Sequence, residues 1–366
     1  MGSTTVSGRF EDRLGIMSDV GRHHRQVLLP QVGPRGQRAL SGSHVLFVGC
    51  GALGSFAIDQ LARAGVGTLT LVDRDVVEAT NLQRQTLYVE SDVRAGTPKA
   101  EAAASRVSAI DSSLRVHPVV EHFGPDNAEE LLAGVDLVID GLDNFPSRYL
   151  LNDACVQLGI PWIHGGAVGS TGTSMTVRPG LTPCLRCLFP DPPPPGVTPT
   201  CDTAGVLAPV VATVASHQVM EALKLLLGDF GALDGGLRSW DSWRNLRSRM
   251  SLEGVRRDDC RCCALGEYDH LDSPAPSAVS LCGRNAVQII PEVGSEALDL
   301  PALARRLRDH GEFSVVSGLL QGVLHDAAGV DGDSVELTVF PDGRAIVGGG
   351  SRPDFARGIY ARYVGH

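Results

Sequence analysis

The 366-residue chain has no apolar run long and uncharged enough to cross a bilayer, and its first twenty residues lack the apolar stretch of a secretory leader. It also lacks a positive excess. A net charge of -10 and a pI near 5.5 leave no basic footprint for nucleic acid or an anionic membrane surface. A disulfide framework is missing too: nine cysteines is an odd number, and four of them fall into Cys-x-x-Cys pairs, which suits a reducing compartment, by default the cytoplasm. There is no internal repeat. What remains, 43% apolar and 20% charged residues, is ordinary globular protein, and its length predicts one large and one small domain.

From about residue 43 to 165, strand and helix signals alternate. Apolar runs at 43–49, 68–73, 115–120, 135–140 and 161–164 read as strands; 52–64, 98–110, 127–133 and 147–158 carry apolar residues at helical spacing. This order predicts an α/β fold, a Rossmann-like, mostly parallel sheet with helices on both faces. Residues 166–178 read as strands turning away from the parallel set, 191–200 with five prolines as an exposed loop, and 208–227 as a long buried helix. The Ser-Pro-Ala-Pro-Ser stretch at 273–277 reads as a linker. Domain boundaries follow: a tail at 1–20, a large domain at 21–272, and a small α+β domain at 278–366, with strand signals at 278–290, 313–324 and 335–347 and helices at 300–309 and 353–363.

The chemistry begins at Gly49-Cys50-Gly51-Ala52-Leu53-Gly54, where glycines allow a tight turn, close approach to a phosphate, and helix N–H groups aimed at an anion. Asp73 ends the next strand, where a carboxylate can accept hydrogen bonds from ribose hydroxyls. Taken alone, that pair favours NAD. Arg84, in Asn81-Leu82-Gln83-Arg84-Gln85, and Lys99, after Thr97-Pro98, argue otherwise, because two cations suit a triphosphate and a nicotinamide site needs no such excess. Asp143 and Asn144, in Asp140-Gly141-Leu142-Asp143-Asn144, fall at the carboxyl edge of a strand, where a carboxylate can hold Mg²⁺ against ATP; helix capping is the structural alternative. Cys184 with Cys187 and Cys260 with Cys263 make a four-thiolate Zn²⁺ site, although Cys262 is an alternative fourth ligand. Cys201 is the candidate for covalent chemistry; Cys50, Cys155 and Cys282 read as core or surface residues.

These motifs resemble the ThiF/MoeB/HesA family, bacterial relatives of ubiquitin-activating enzymes, over roughly residues 20 to 270. The resemblance rests on Arg22-His23-His24-Arg25-Gln26, the glycine turn, Leu71 to Asp75, Asn81 to Gln85, Pro98-Lys99, Asp140 to Asn144, both Cys pairs, Thr200-Cys201 and Gly205 to Pro209. It implies adenylation by ATP of the C-terminal glycine of a small ubiquitin-like, ThiS/MoaD-like protein ending in Gly-Gly, with release of pyrophosphate. It further implies that Asp73 holds the ribose, that Asn81, Arg84 and Lys99 hold the phosphates, and that Asp143 positions Mg²⁺. Arg25 is similar to an arginine that enters the neighbouring subunit's site, which implies a homodimer. Cys201 would take the acyl group as a thioester or acyl persulfide, and a separate sulfurtransferase would act downstream. Ala52 departs from the pattern, since relatives often carry glycine there. An NAD-dependent oxidoreductase and a non-catalytic scaffold are the rival readings; cofactor fluorescence with NADH and pyrophosphate release with a carrier separate them.

Overall fold

The computed structural model describes residues 21–193, 204–274, 277–281, 285–291, 297–316, 318–330 and 332–365. Its contacts divide into two units. Among the described residues, the first takes in 21–89, 98–193 and 206–272; the second takes in 90–97, 204–205 and those from 273 on.

The first unit is built on an eight-stranded sheet of β1 (His44–Val48), β2 (Thr68–Val72), β3 (Arg115–Val119), β4 (Leu137–Asp140), β5 (Trp162–Val168), β6 (Thr171–Val177), β7 (Gly236–Asp241) and β8 (Leu246–Ser251), in the order β3-β2-β1-β4-β5-β6-β7-β8. The strands from β3 to β5 run parallel. β6, β7 and β8 then continue it antiparallel, so 166–178 turns away as expected, whereas the β7–β8 hairpin carried no strand expectation. The inner strands are mostly apolar because both faces are covered. Leu46, Val48 and Val138 pack with Tyr149, Leu151 and Ala154 of the helix Phe145–Leu158. The intervening Val45, Phe47 and Ile139, also buried, point to the opposite face by strand alternation, where the helix Ala52–Ala64 runs alongside the long helix Ala208–Leu227. That long helix opens on a first-turn Pro209 and stops at Gly228 in the left-handed conformation, as its apolar run and glycine predict. No helix among the described residues is long and apolar enough to span a membrane.

Order decides where a ligand can bind. From β1 the chain winds one way to β2 and β3 and the other way to β4 and β5, so the loops leaving the carboxyl ends of β1 and β4 diverge around a crevice.

The second unit is a six-stranded antiparallel sheet, β9 (Ala278–Leu281), β10 (Ala286–Ile289), β11 (Gly311–Val316), β12 (Leu319–Ala328), β13 (Ser334–Val339) and β14 (Ala345–Gly348), ordered β11-β12-β13-β14-β10-β9. Val287, Ile289, Val335, Leu337 and Val339 alternate onto one face and pack against Leu300 and Leu303 of one helix and Ala356 and Ile359 of another. Residues 278–290 and 313–324, each expected as one apolar stretch, are each split between two strands, since their partners lie within the same run. Cys282, Gly283 and Arg284 lie outside the described residues.

Candidate functional site

The glycine turn forms because two strand ends touch. Gly49 has φ +96°, and a Cβ there would stand 2.6 Å from the carbonyl oxygen of Gly141, while one on Gly141 or Gly54 would stand 2.2 or 2.0 Å from that of Gly49. Only glycine fits these three positions, and the contact joins the β1 loop to the β4 loop at the crevice. Gly51 ends the turn, and the helix beginning at Ala52 starts from the carboxyl end of β1 with its first-turn N–H groups uncapped by a side chain.

Asp73 lies beside the turn. Its carboxylate accepts the Cys50 N–H at 2.8 Å and the Asp75 N–H at 2.8 Å. Burial pushes this carboxyl up, while the nearby Lys99 charge pulls it down. Lys99, one of two lysines in the chain, is itself buried, with Nζ 3.0 Å from Asp75 Oδ2 and its N–H bonded to the Asp75 carbonyl. Tyr88 ties the elements together, its hydroxyl donating to the Cys50 carbonyl at 2.7 Å, with the Lys99 carbonyl 3.3 Å away. Asn81 is buried and its amide oxygen accepts the Glu78 N–H, closing a capping box, while Arg84 Nη1 donates to the Thr80 carbonyl. Gln85, next in the chain, lies against Gly51.

On the β4 side, Asp143 is exposed and its Oδ1 accepts from Asn144 Nδ2 at 3.1 Å. Asn144 behaves as the capping alternative foresaw: its Oδ1 accepts the Ser147 N–H and starts the helix Phe145–Leu158. Behind these two is a buried cluster that sequence reasoning did not assign, Asp140 with Arg148 Nε at 2.7 Å and His164 Nδ1 at 2.9 Å. Burial pushes the Asp140 carboxyl up, but Arg148 and His164 outweigh it and hold it below the usual carboxylate range. Burial likewise holds His164 below its ordinary value, so the ring is neutral at pH 7 and donates Nδ1–H. The only sequence signal was an apolar strand ending in Asp, with Arg eight residues on in the next helix.

Arg25 is elsewhere. It is exposed on the short helix His24–Val27, whose neighbours Gln26 and Arg22 bond to the carbonyls of Ala64 and Ile110, at the C-terminal ends of helices that begin on the crevice side. Within one chain, Arg25 therefore lies away from the glycine turn. Cys201 lies outside the described residues.

The second cluster is metal-like. The sulfurs of Cys184, Cys187, Cys260 and Cys263 all lie within 4.8 Å of one another, with Cys184–Cys260 at 3.6 Å and Cys187–Cys263 at 3.4 Å. A tetrahedral zinc with bonds of about 2.3 Å separates its sulfurs by about 3.8 Å, so the donor set fits Zn²⁺. Cys262, buried beside the four, receives Asn152 Nδ2 at 3.3 Å, while Asn152 Oδ1 accepts the Leu185 N–H, tying both knuckles to one side chain. Arg186, between the first two thiols, reaches Asp153 and Asp269.

Residues 23–262 match the model of the ThiF family. The chain is 40% identical over 346 residues to the sulfur carrier protein ThiS adenylyltransferase of Bacillus subtilis, covering 94% of this chain and 99% of that one. It is 44% identical over 258 residues to the SAMP-activating enzyme E1 of Haloferax volcanii, covering 70% of this chain and 93% of that one. Among solved structures, E. coli MccB with ATP superposes with a TM-score of 0.56 at 22% identity, covering 71% of this chain and 82% of MccB, a likeness of fold.

Proposed function

The chain belongs to the ThiF family, and from that premise we propose that it uses ATP to adenylate the C-terminal glycine of a small ubiquitin-like sulfur carrier. The observation that carries this reading is the meeting of Gly49, Gly141, Asp73 and Lys99 at the switch point between β1 and β4, in a chain similar to a ThiS adenylyltransferase over nearly its whole length.

The reaction is an in-line displacement. A carboxylate oxygen of the carrier's terminal glycine forms a bond to the α-phosphorus of ATP, the bond to the β-phosphate oxygen breaks, and pyrophosphate leaves with that electron pair. No general base is required, because the carboxylate is already ionised at pH 7. The backbone N–H groups of the turn and of the helix start at Ala52 hold phosphate, and Asp73 accepts from the ribose hydroxyls. Asn81, Arg84 and Lys99 neutralise the charge that spreads over the phosphates, with Asp75 keeping Lys99 oriented until nucleotide arrives. Asp143, a single exposed carboxylate at the strand edge, suits Mg²⁺, which takes one or two carboxylates plus phosphate oxygens. Mg²⁺ supplies charge neutralisation at the phosphate oxygens. Arg25 would come from a second copy of the chain, and Zn²⁺ would sit on the four thiolates as a closed structural centre. The Cys201 thiolate would attack the acyl carbon of the adenylate, forming a thioester as the bond to the phosphate oxygen breaks and AMP leaves, and a separate sulfurtransferase would provide the sulfur.

The test is ATP–pyrophosphate exchange with a purified carrier ending in Gly-Gly. Exchange that depends on the carrier supports the proposal; binding of the carrier without exchange, at saturating Mg·ATP, refutes it.

A further inference from the structure

The buried cluster behind the β4 loop has the geometry of a clamp on one residue, Leu142, which immediately precedes Asp143. Asp140 Oδ1 accepts the Leu142 N–H at 3.0 Å, and Arg148 Nη2 donates to the Leu142 carbonyl at 2.6 Å. The peptide groups on both sides of Leu142 are thereby held by the two halves of one ion pair, Arg148 Nε to Asp140 Oδ2 at 2.7 Å. The clamp is in turn fixed to the sheet. Arg148 Nη2 lies 3.2 Å from the Gly165 carbonyl, His164 Nδ1 donates to Asp140 Oδ2, and Gln218 of the long helix donates to the carbonyls of Asp140 and Ile163 at 2.9 and 3.0 Å. All four side chains, Asp140, Arg148, His164 and Gln218, are buried.

We propose that Arg148, through its paired grip on Asp140 and Leu142, is a positioning residue that presents the Asp143 carboxylate to the divalent ion of the bound nucleotide. The inference rests on the reading of Asp143 given above. An exposed carboxylate on a loop loses binding energy when the loop must be ordered at the moment of binding; a loop already held at the adjoining peptide groups does not. Arg148 makes the clamp because a guanidinium can hold a carboxylate with one nitrogen and a carbonyl with another, which an ammonium at the end of a flexible stem does not reproduce. Arg148 touches neither nucleotide nor carrier in this scheme, so it shapes where Asp143 stands and takes no part in bond making.

The variants are Arg148→Lys, which keeps the charge beside Asp140 and gives up the fork, and the double change Asp140→Asn with Arg148→Met, which leaves no buried charge unpaired should the first variant fold poorly. Two measurements that do not depend on turnover are made on the full chain. Hydrogen exchange without nucleotide is expected to rise about tenfold or more for the amides of Leu142 to Asn144 and to stay unchanged in β1 and β4. The dissociation constant of Mn·ATP, followed by the spectrum of the bound Mn²⁺, is expected to rise about tenfold, while that of metal-free ATP holds. Exchange at the loop that matches the parent protein, or a loosened loop with unaltered Mn·ATP affinity, overturns the proposal. Asp143→Asn is the companion variant: if it leaves Mn·ATP affinity unchanged, the reading of Asp143 itself fails, whereas loss of affinity in Asp143→Asn alone condemns the clamp and spares that reading.

Discussion

Single side chains carry the charge logic of the crevice. Lys99 is buried beside Asp75 and Asp73, so its neutral replacement by Met would leave two carboxylates crowded in a partly buried place. For Arg84→Ala and Asp143→Ala the fold should survive, since the first gives up a bond to the Thr80 carbonyl and the second is exposed. ATP–pyrophosphate exchange should fall on the order of a hundredfold or more in each, the scale of removing one group that meets transition-state charge. Equal rates in parent and variants would remove both residues from the site. Cys201 calls for a different assay. Cys201→Ser should abolish any thiol-sensitive adduct between chain and carrier on a non-reducing gel, and an adduct that persists would assign the acyl acceptor elsewhere.

Elements impose a pH dependence and a metal dependence. His164 is held below its ordinary value by burial, and His217, on the long helix, is lowered for the same leading reason. Between their folded values and about 6.5 the unfolded chain binds more protons than the folded one, so stability rises with pH in that window and is lost as pH falls below about 6.5. The depressed Asp140 acts much lower: its contribution is present above the unfolded value of about 3.9 and vanishes as pH drops through its folded value. Thermal midpoints should therefore be level from pH 7 to 8 and decline between 6.5 and 5; a profile flat to pH 5 would contradict the placement of both histidines. The knuckles around Cys184–Cys187 and Cys260–Cys263 are joined to each other through Asn152 and to the neighbouring carboxylates Asp153 and Asp269 through Arg186. Stripping metal with a strong chelator should release about one zinc per chain and lower the midpoint by on the order of 10 °C. No zinc in a metal assay of purified protein would end that assignment.

At the level of the whole molecule, the prediction is complementation. Arg25 lies away from the glycine turn of its own chain, and Arg22 and Gln26 fasten its segment there. If a second copy supplies it, Arg25→Ala and Asp143→Ala are each inactive alone. Re-associated together they should regain about a quarter of parental exchange, because half of the random dimers are mixed and each mixed dimer has one whole site. No recovery would mean that Arg25 serves its own chain or serves no site.

The strand and helix alternation, the glycine turn, the acidic strand end at Asp73 and the two cysteine pairs were legible in the amino-acid order because each rests on local rules: periodicity, the lack of a Cβ, ligand spacing. The grouping of Glu90–Thr97 with the second unit and the Asp140–Arg148–His164 cluster were not. Nothing near Glu90–Thr97 in the amino-acid order announces its grouping with residues beyond Ser273. Likewise, Asp140, Leu142, Arg148 and His164 come from a strand end, a loop, a helix and another strand, so their meeting depends on the packing of β4 against β5 and on the helix between them. Short-range chemistry thus determined which groups could touch a nucleotide, while long-range packing alone decided which of them are held still and by whom.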